Sequence, residues 1–286
     1  MGGAKVNWMD TVKAMKLAMI QMRVEPGAKA DNLRRAANLI ADAARNGAQI
    51  AVLPETMTVG WTDPRSATLA DEIPGGETCK LLQDLAGRHK LFLCAGMVEL
   101  AQSRVYNAAV LVGPDRRVLL HHRKIYELEM AHSRYALGDR LAVADTPLGR
   151  IGVMICADAF APGQVISRTL GFMGADIVLS PCAWAVPANH DNAKEPYGQL
   201  WRDNYAPVAR DFKMWIVGVS NVGPITGGAW KGRKCIGCSL LVGPDGLPVL
   251  QGPYGEAAEA ILYADLEPSL RPGRGDQWDV LWAKRS

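Results

Sequence analysis

The stretch that decides the fold is GRIGVMICAD, residues 149–158. An apolar run rich in β-branched residues ends there at Cys156, and a small residue and an acid follow it. Such a run is typical of a buried parallel strand, and open α/β sheets place their chemistry at the carboxyl ends of these strands. A thiol at that position is a candidate nucleophile. We therefore predict an α/β protein with a site at Cys156.

Two charged residues follow apolar runs in the same way. Glu55 closes the run IAVLP at residues 50–54, and Lys124 comes directly after VLLHHR at residues 118–123. A carboxylate, an ammonium group and a thiol, each delivered by its own strand, favour an acyl-transfer site. Each residue also has a structural interpretation: a turn cap, a surface lysine and an inert core thiol. The coincidence of three strand-end placements favours the catalytic interpretation.

The three residue types complement one another chemically. A free thiol has a pKa of about 8.5, so at neutral pH it needs a base or a nearby positive charge. Glu55 is the candidate base, because burial raises the pKa of a carboxyl group toward the working range. Lys124 and the backbone N–H of Ala157 are candidate donors to a developing oxyanion. A cysteine–histidine pair is the competing arrangement, but none of the five histidines has a companion pattern.

Charge and hydropathy argue against several classes of function. A net charge of +3 over 286 residues gives no electrostatic footprint for nucleic acid. No run approaches the roughly 20 apolar residues that span a bilayer, so we expect no membrane partner. Residues 1–11 lack the apolar segment of a signal peptide, and we expect a cytoplasmic location.

The six cysteines do not indicate a disulfide scaffold, which would be smaller and denser in cysteine. Cys235 and Cys238 form a lone C-x-x-C, with no second pair or spaced histidines nearby to complete a zinc site. We therefore expect free thiols and no metal.

The order of predicted elements indicates the architecture. Helical segments alternate with strands, but hairpins are interspersed, as at the Gly-Pro-Asp turns 113–115 and 243–245. This pattern favours a core of two mixed sheets covered by helices. We predict an extension over residues 1–14 and one domain over residues 15–286. Asp31 is the predicted N-cap of the first helix.

Three short blocks carry a family resemblance. LPE at 53–55, HRKI at 122–125 and GVMICAD at 152–158 resemble, in the same order, the signature blocks of the nitrilase superfamily of carbon–nitrogen hydrolases. YNAA at 106–109 and GPDG at 243–246 are further matches. The resemblance implies an αββα sandwich, catalysis without a metal or organic cofactor, and a homodimer or larger homo-oligomer.

The resemblance also implies a Glu–Lys–Cys triad, with Glu55 as base and acid, Lys124 as oxyanion partner and Cys156 as nucleophile. Many members carry a second active-site glutamate beyond the lysine, before a Pro-Gly turn, but this chain has Leu137 where the proline is usual. Glu127 or Glu129 takes that role from a shorter loop. Both have the same strand parity, and only the closeness to Lys124 favours Glu127.

The residues after the cysteine bear on the substrate. Typical nitrilases have a tryptophan and a glutamate there, whereas amidases and carbamoyl-amide hydrolases more often end the block in aspartate, as Ala157-Asp158 does here. We therefore expect hydrolysis of a small amide or N-carbamoyl compound, with a nitrile as the alternative. A non-catalytic member that only binds a small molecule is a second alternative. Trp61, Trp184 and Trp201 could line an apolar pocket or pack as ordinary core.

Overall fold

The computed structural model describes residues 14–267, 269–275 and 278–283. The predicted extension over residues 1–14 lies outside this part of the chain, apart from Ala14. The strands are β1 (Met15–Gln21), β2 (Ile50–Val52), β3 (Phe92–Ala101), β4 (Arg104–Val112), β5 (Val118–Arg123), β6 (Val143–Thr146), β7 (Gly149–Val153), β8 (Ile177–Cys182), β9 (Ala185–Pro187), β10 (Trp215–Ser220), β11 (Val222–Pro224), β12 (Arg233–Ile236), β13 (Leu240–Val242), β14 (Pro248–Gln251) and β15 (Ala260–Leu266). The helices are α1 (Lys29–Arg45), α2 (Ser66–Leu69), α3 (Glu77–His89), α4 (Val165–Phe172), α5 (Gln199–Phe212) and α6 (Trp278–Ala283).

The strands form two large mixed sheets. The first has the order β15-β1-β2-β3-β4-β5, and the second has the order β14-β13-β10-β8-β7-β6. The strands β1, β2 and β3 are parallel, as are β7, β8 and β10, while the outer strands pair antiparallel. Strands β11, β12 and β9 form a small third sheet. The Gly-Pro-Asp turns connect the strands of two hairpins, β4–β5 and β13–β14.

Side-chain alternation along β1 shows how the layers stack. Leu17 and Met19 belong to the core between the two large sheets, whereas Ala18 and Ile20 pack with the apolar faces of α1 and α3. Helices α4 and α5 cover the outer face of the second sheet, where Val208 of α5 joins the same core as the sheet residues. The arrangement is an αββα sandwich, which confirms the predicted fold class.

The start of α1 differs from the prediction. The N-cap is Ala28, and Asp31 lies in the first turn without capping the helix, so the predicted cap was wrong. The entering loop is held instead by Asn32, whose side chain accepts a hydrogen bond from the Glu25 N–H at 2.8 Å and donates to the Thr58 carbonyl at 3.0 Å. With these tertiary contacts, the N-cap lies three residues earlier than local propensity indicates.

The carboxyl ends of strands from both sheets meet at one edge of the sandwich. Beyond the end of β2, the backbone N–H of Glu55 donates to the carbonyl of Cys182 at the end of β8, at 3.2 Å. The β5 strand ends beside them at Arg123, directly before Lys124. The two sheets are therefore joined at the edge where the candidate site residues lie.

A buried ion pair fixes the end of β5. Glu99 on β3 has a 1% exposed side chain and accepts hydrogen bonds from Arg123 at 2.6 and 2.8 Å. Burial raises the pKa of the Glu99 carboxyl, but the hydrogen bonds from Arg123 and His121 outweigh it and hold this pKa below its ordinary value. The guanidinium of Arg123 also lies 4.0 Å from the ring centroid of Tyr106.

We expect Glu99→Gln to lower the free energy of unfolding by about 1–3 kcal/mol at about pH 7, because the charged hydrogen bonds to Arg123 are weakened. A group whose pKa is lowered by folding stabilises above its unfolded pKa, and that stabilisation is lost as the pH falls through its folded pKa. Urea unfolding should therefore show the difference between wild type and variant shrinking toward about pH 3. A difference that is constant with pH would contradict this assignment.

Candidate active site

Lys124 is the centre of a buried charge cluster. Its Nζ lies 2.8 Å from Oε1 of Glu55 and 2.8 Å from Oε1 of Glu127, and its side chain is 2% exposed. Glu55 follows the end of β2 and Lys124 the end of β5, so strands of the same sheet bring the two groups together. Removing an ammonium group from water costs free energy, and the two nearby carboxylates offset this cost.

Asn107 connects the two carboxylates through its side-chain amide. Its Nδ2 donates to Oε1 of Glu55 at 2.6 Å and to Oε2 of Glu127 at 3.0 Å. It lies within β4, where its neighbours along the strand are buried apolar residues. Sequence reasoning assigned no role to Asn107, although a buried amide in an apolar strand is the signal that could have found it.

The structure distinguishes Glu127 from Glu129, which strand parity in the sequence could not do. Glu127 is buried and contacts Lys124, whereas Glu129 is exposed at the start of the 3₁₀ helix Glu129–Ala131. The segment after Lys124 turns rather than continuing as a strand, so parity does not govern which side chain points inward.

Cys156 lies at the end of the central strands of the second sheet. It follows β7, has a positive φ of 44°, and begins the 3₁₀ helix Cys156–Phe160, with Ala157 next and fully buried. Its backbone N–H donates to Oγ of Ser180 on β8 at 3.2 Å. A left-handed backbone is unfavourable for a non-glycine residue, and such strain is concentrated at functional sites.

Electrostatic interactions link the thiol to the charge cluster. Burial raises the pKa of Cys156 well above its ordinary value, and a hydrogen bond with Cys182 and the charge of Glu55 raise it further, against the opposing effect of Lys124. Burial also raises the pKa of Glu55, although Lys124 and Asn107 oppose it. The pKa of Lys124 is raised because Glu55 and Glu127 outweigh its burial. The resting site therefore holds a neutral thiol beside a charged ammonium group.

Comparison with known proteins places this geometry in a family. The sequence matches the carbon–nitrogen hydrolase family over residues 16–272. The chain belongs to this family. A nitrilase from Pyrococcus abyssi is 32% identical over 234 residues, covering 80% of this chain and 82% of the relative. The omega-amidase NIT2 of Mus musculus is 32% identical over 292 residues, covering 96% of each chain.

The fold comparison agrees with the sequence comparison. The crystal structure of Nit3 from Saccharomyces cerevisiae superimposes with a TM-score of 0.76 and covers 90% of this chain and 91% of its own. The two sequences are 23% identical, so this likeness concerns the fold alone.

In this carbon–nitrogen hydrolase, Asp158 connects the cysteine and lysine segments. Its Oδ1 accepts the N–H groups of Ile125 and Tyr126 at 3.0 and 2.8 Å, directly beyond Lys124. Its Oδ2 accepts the Ile155 N–H at 2.8 Å and lies 2.8 Å from Nε2 of His122. Asp158 is fully buried, so one carboxylate fixes two loops from different sheets relative to each other. Sequence reasoning used Asp158 only as a motif residue.

Aromatic side chains flank the site on two sides. Trp184 stacks on Trp201 with centroids 4.4 Å apart, and Trp201 lies 4.4 Å from Phe160, which ends the turn that begins at Cys156. On the other side, the ring centroid of Trp61 is 5.8 Å from Nζ of Lys124, and Trp61 also lines a surface cavity. The indole N–H groups of Trp61 and Trp184 are buried, and neither has a hydrogen-bond partner in the part of the chain that the structure describes.

The cysteines of the C-x-x-C motif come from a different part of the chain, on and after β12. Cys235 is on β12 and Cys238 follows it, and both are buried free thiols. Within residues 14–267, 269–275 and 278–283, no three His, Cys, Asp or Glu side chains gather closely enough to hold a metal ion. None of the helices that the structure describes is long and apolar enough to cross a bilayer.

We expect Asp158→Asn to reduce turnover of a small primary amide by about 10²-fold, because displacing a reacting group by about 1 Å has an effect of that size. The amide would place an NH₂ group against the Ile155 N–H and so disturb the two loops. KM should change little, since no substrate contact is lost. Asp145→Asn is the matched control, because Asp145 is an exposed acid on β6 of the same sheet. Equal turnover in the two variants would contradict the role of Asp158.

Proposed function

We propose that the chain hydrolyses a non-peptide carbon–nitrogen bond, in a small amide or an N-carbamoyl compound, through an acyl-enzyme on Cys156 with release of ammonia. The observation that carries the proposal is the buried contact of Lys124 with both Glu55 and Glu127 beside Cys156. A buried ammonium group with two carboxylates and a nearby thiol combines a base, an electrophilic donor and a nucleophile.

The first half-reaction forms the acyl-enzyme. Glu55 accepts the thiol proton while Sγ of Cys156 attacks the carbonyl carbon. The ammonium group of Lys124 and the N–H of Ala157 stabilise the negative charge that develops on the carbonyl oxygen. Glu55 then returns the proton to the leaving nitrogen, the C–N bond breaks, and ammonia departs from a thioester.

The second half-reaction releases the acid. Glu55 accepts a proton from a water molecule, whose oxygen attacks the thioester carbon, and the same two donors stabilise the oxyanion. The C–S bond breaks and the proton returns to the thiolate of Cys156. Glu127 and Asn107 keep the catalytic groups in place through both steps. Glu127 accepts a hydrogen bond from Lys124, and Asn107 donates to Glu55 and to Glu127.

The choice of an amide rests on the sequence after the nucleophile and on the relatives. The Ala157-Asp158 pair favours amide or carbamoyl substrates, and one relative is named an omega-amidase. A nitrile is the alternative, supported by the relative named nitrilase, because the same thiol can attack a nitrile carbon. Trp184 and its stacked neighbour Trp201 are proposed to bound the substrate's apolar part. A binding protein without catalysis is the second alternative.

The test of the proposal is the fate of Cys156 during turnover. Acid quenching with a small primary amide should leave the mass of the acyl group on the peptide that contains Cys156. Cys156→Ala should abolish ammonia release while leaving the far-UV circular dichroism spectrum and Tm nearly unchanged. Cys238→Ser is the control, because Cys238 is also buried but lies outside the charge cluster.

Three outcomes separate the alternatives. Ammonia release that survives in Cys156→Ala removes the thiol from the mechanism. A nitrile consumed much faster than the amide of the same acid keeps the triad and assigns the chain to nitrile hydrolysis. Absence of turnover across amides, N-carbamoyl amino acids and nitriles, together with saturable binding of one of them, supports the binding alternative.

The position of Glu127 gives a second prediction. Glu127→Gln should reduce kcat by about 10²-fold, because Lys124 then has Glu55 as its one carboxylate partner. The ammonium group should shift toward Glu55 and hold its carboxylate more tightly, so that Glu55 is a weaker base. Glu129→Gln is the matched control, since Glu129 is two residues away but exposed. Steady-state kinetics of both variants should show the loss only at Glu127, and a larger loss at Glu129 would reverse the assignment.

We also propose that the chain forms a homodimer or larger homo-oligomer through the outer helices of the second sheet. Val165 and Phe172 on α4 and Leu200 on α5 are exposed, Phe172 to 67%. Large exposed apolar side chains on one layer are typical of interaction surfaces. Phe172→Glu should lower the sedimentation coefficient to that of a monomer. Leu100→Glu, at an exposed leucine on β3 of the first sheet, should leave it unchanged. A wild-type chain that sediments as a monomer would disprove this.

A further inference from the structure

A second buried thiol, Cys182, lies beside the proposed nucleophile. Strands β7 and β8 are parallel neighbours with Val153 opposite Leu179, and the Met154 N–H donates to the Leu179 carbonyl at 3.1 Å. Cys156 begins the 3₁₀ helix that follows β7, and Cys182 is the last residue of the neighbouring strand β8. Cys182 is fully buried and ends β8, and its carbonyl accepts the N–H of Glu55. No step proposed for hydrolysis uses the Cys182 thiol.

The contacts of Ser180 bring the two cysteines to one place. Its Oγ accepts the N–H of Cys156 at 3.2 Å and lies 3.4 Å from Sγ of Cys182. Cys182 also donates to the Ser180 carbonyl at 3.1 Å and lies 3.7 Å from the hydroxyl of Tyr205. Ser180 therefore contacts the backbone of Cys156 and the thiol of Cys182 at once. The proximity of Cys182 also contributes to raising the pKa of Cys156.

We propose that Cys156 and Cys182 form a reversible disulfide when a hydroperoxide reacts at the site. The proposal rests on the nucleophilic role of Cys156 in the proposed function. Ser180 Oγ lies 3.2 Å from the backbone nitrogen of Cys156 and 3.4 Å from Sγ of Cys182, so the two cysteines are close neighbours, as a disulfide requires.

The chemistry balances with the hydroperoxide as the only oxidant. Glu55 accepts the proton of Cys156, and the thiolate sulfur attacks the peroxide, breaking the O–O bond and forming a sulfenic acid; the alkoxide or hydroxide that leaves takes up the proton. The sulfur of Cys182 then attacks the sulfenic sulfur, the S–O bond breaks, and water leaves with the Cys182 proton. Both sulfurs are oxidised and the peroxide is reduced. Hydrolysis stops, because no nucleophilic thiol remains.

A resolving thiol changes the chemical fate of the nucleophile. Without one, a sulfenic acid reacts with further hydroperoxide to give a sulfinic acid, which thiols do not reduce. With Cys182 as a close neighbour, the sulfenic acid is converted to a disulfide that an added dithiol can reduce. The thiol pair is therefore expected to make the oxidative loss of activity recoverable.

The experiment treats the folded full-length chain with hydrogen peroxide, blocks remaining thiols by alkylation, and maps peptides without reduction. In wild type, a peptide pair joined through Cys156 and Cys182, lighter by two hydrogens, should accumulate in step with loss of ammonia release, and dithiothreitol should restore both. Cys182→Ser should retain hydrolysis to within a few-fold, but peroxide should inactivate it irreversibly, with a sulfinic acid at Cys156. Cys182→Ala provides the same test if the serine variant does not fold.

The control is Cys238→Ser, which removes another buried thiol and should behave as wild type. The inference is overturned if wild-type Cys156 reaches the sulfinic acid as fast as in Cys182→Ser, or if Cys156 is joined to a different cysteine. Ammonia release is measured before oxidation, so the two proposals fail separately. Hydrolysis without the linked peptide removes only the thiol pair, and a linked peptide in a chain that hydrolyses no amide removes only the proposed hydrolysis.

Discussion

The structure depends on the burial of one positive charge. Moving an ammonium group out of water costs several kcal/mol, and only close anionic partners can offset this cost. Lys124 has two, Glu55 and Glu127, and Asn107 donates to both of them. This constraint determines where strands of the first sheet must end, because Glu55, Asn107 and Lys124 come from three different segments. Loss of either carboxylate leaves Lys124 with one anionic partner instead of two and removes one of the contacts that fix its position.

The second constraint is the placement of a thiol from the other sheet against this cluster. The backbone contact between Glu55 and Cys182 joins the sheets on one side. On the other side, the four hydrogen bonds of Asp158 connect residues on both sides of Lys124 with Ile155, directly before Cys156. Between these two fixed points, the Cys156 backbone adopts its left-handed conformation. Hydrogen bonds from both sheets therefore hold Cys156 in its strained backbone conformation.

The sequence predicted the two-sheet architecture because the central strands are parallel and buried on both faces, which produces continuous apolar runs such as those before Glu55 and Cys156. It did not identify Asn107 or the partners of Asp158, because their contacts are with residues far along the chain. Parity could not separate Glu127 from Glu129, since the segment beyond Lys124 is a turn. Asp31 was wrong as a cap because the contacts of Asn32 begin the helix earlier. Local pattern determines the elements, and long-range polar contacts determine the site.

Burial has opposite effects on charge creation and on charge transfer at this site. It raises the pKa of both Cys156 and Glu55, so neither an isolated thiolate nor an added charge is favoured in the resting protein. Moving a proton from the thiol to Glu55, however, only relocates one negative charge within the same dry volume. Lys124 interacts with the charge before and after the transfer, so the cost of burial largely cancels. A carboxylate paired with a fixed ammonium group can therefore activate a buried thiol without a histidine.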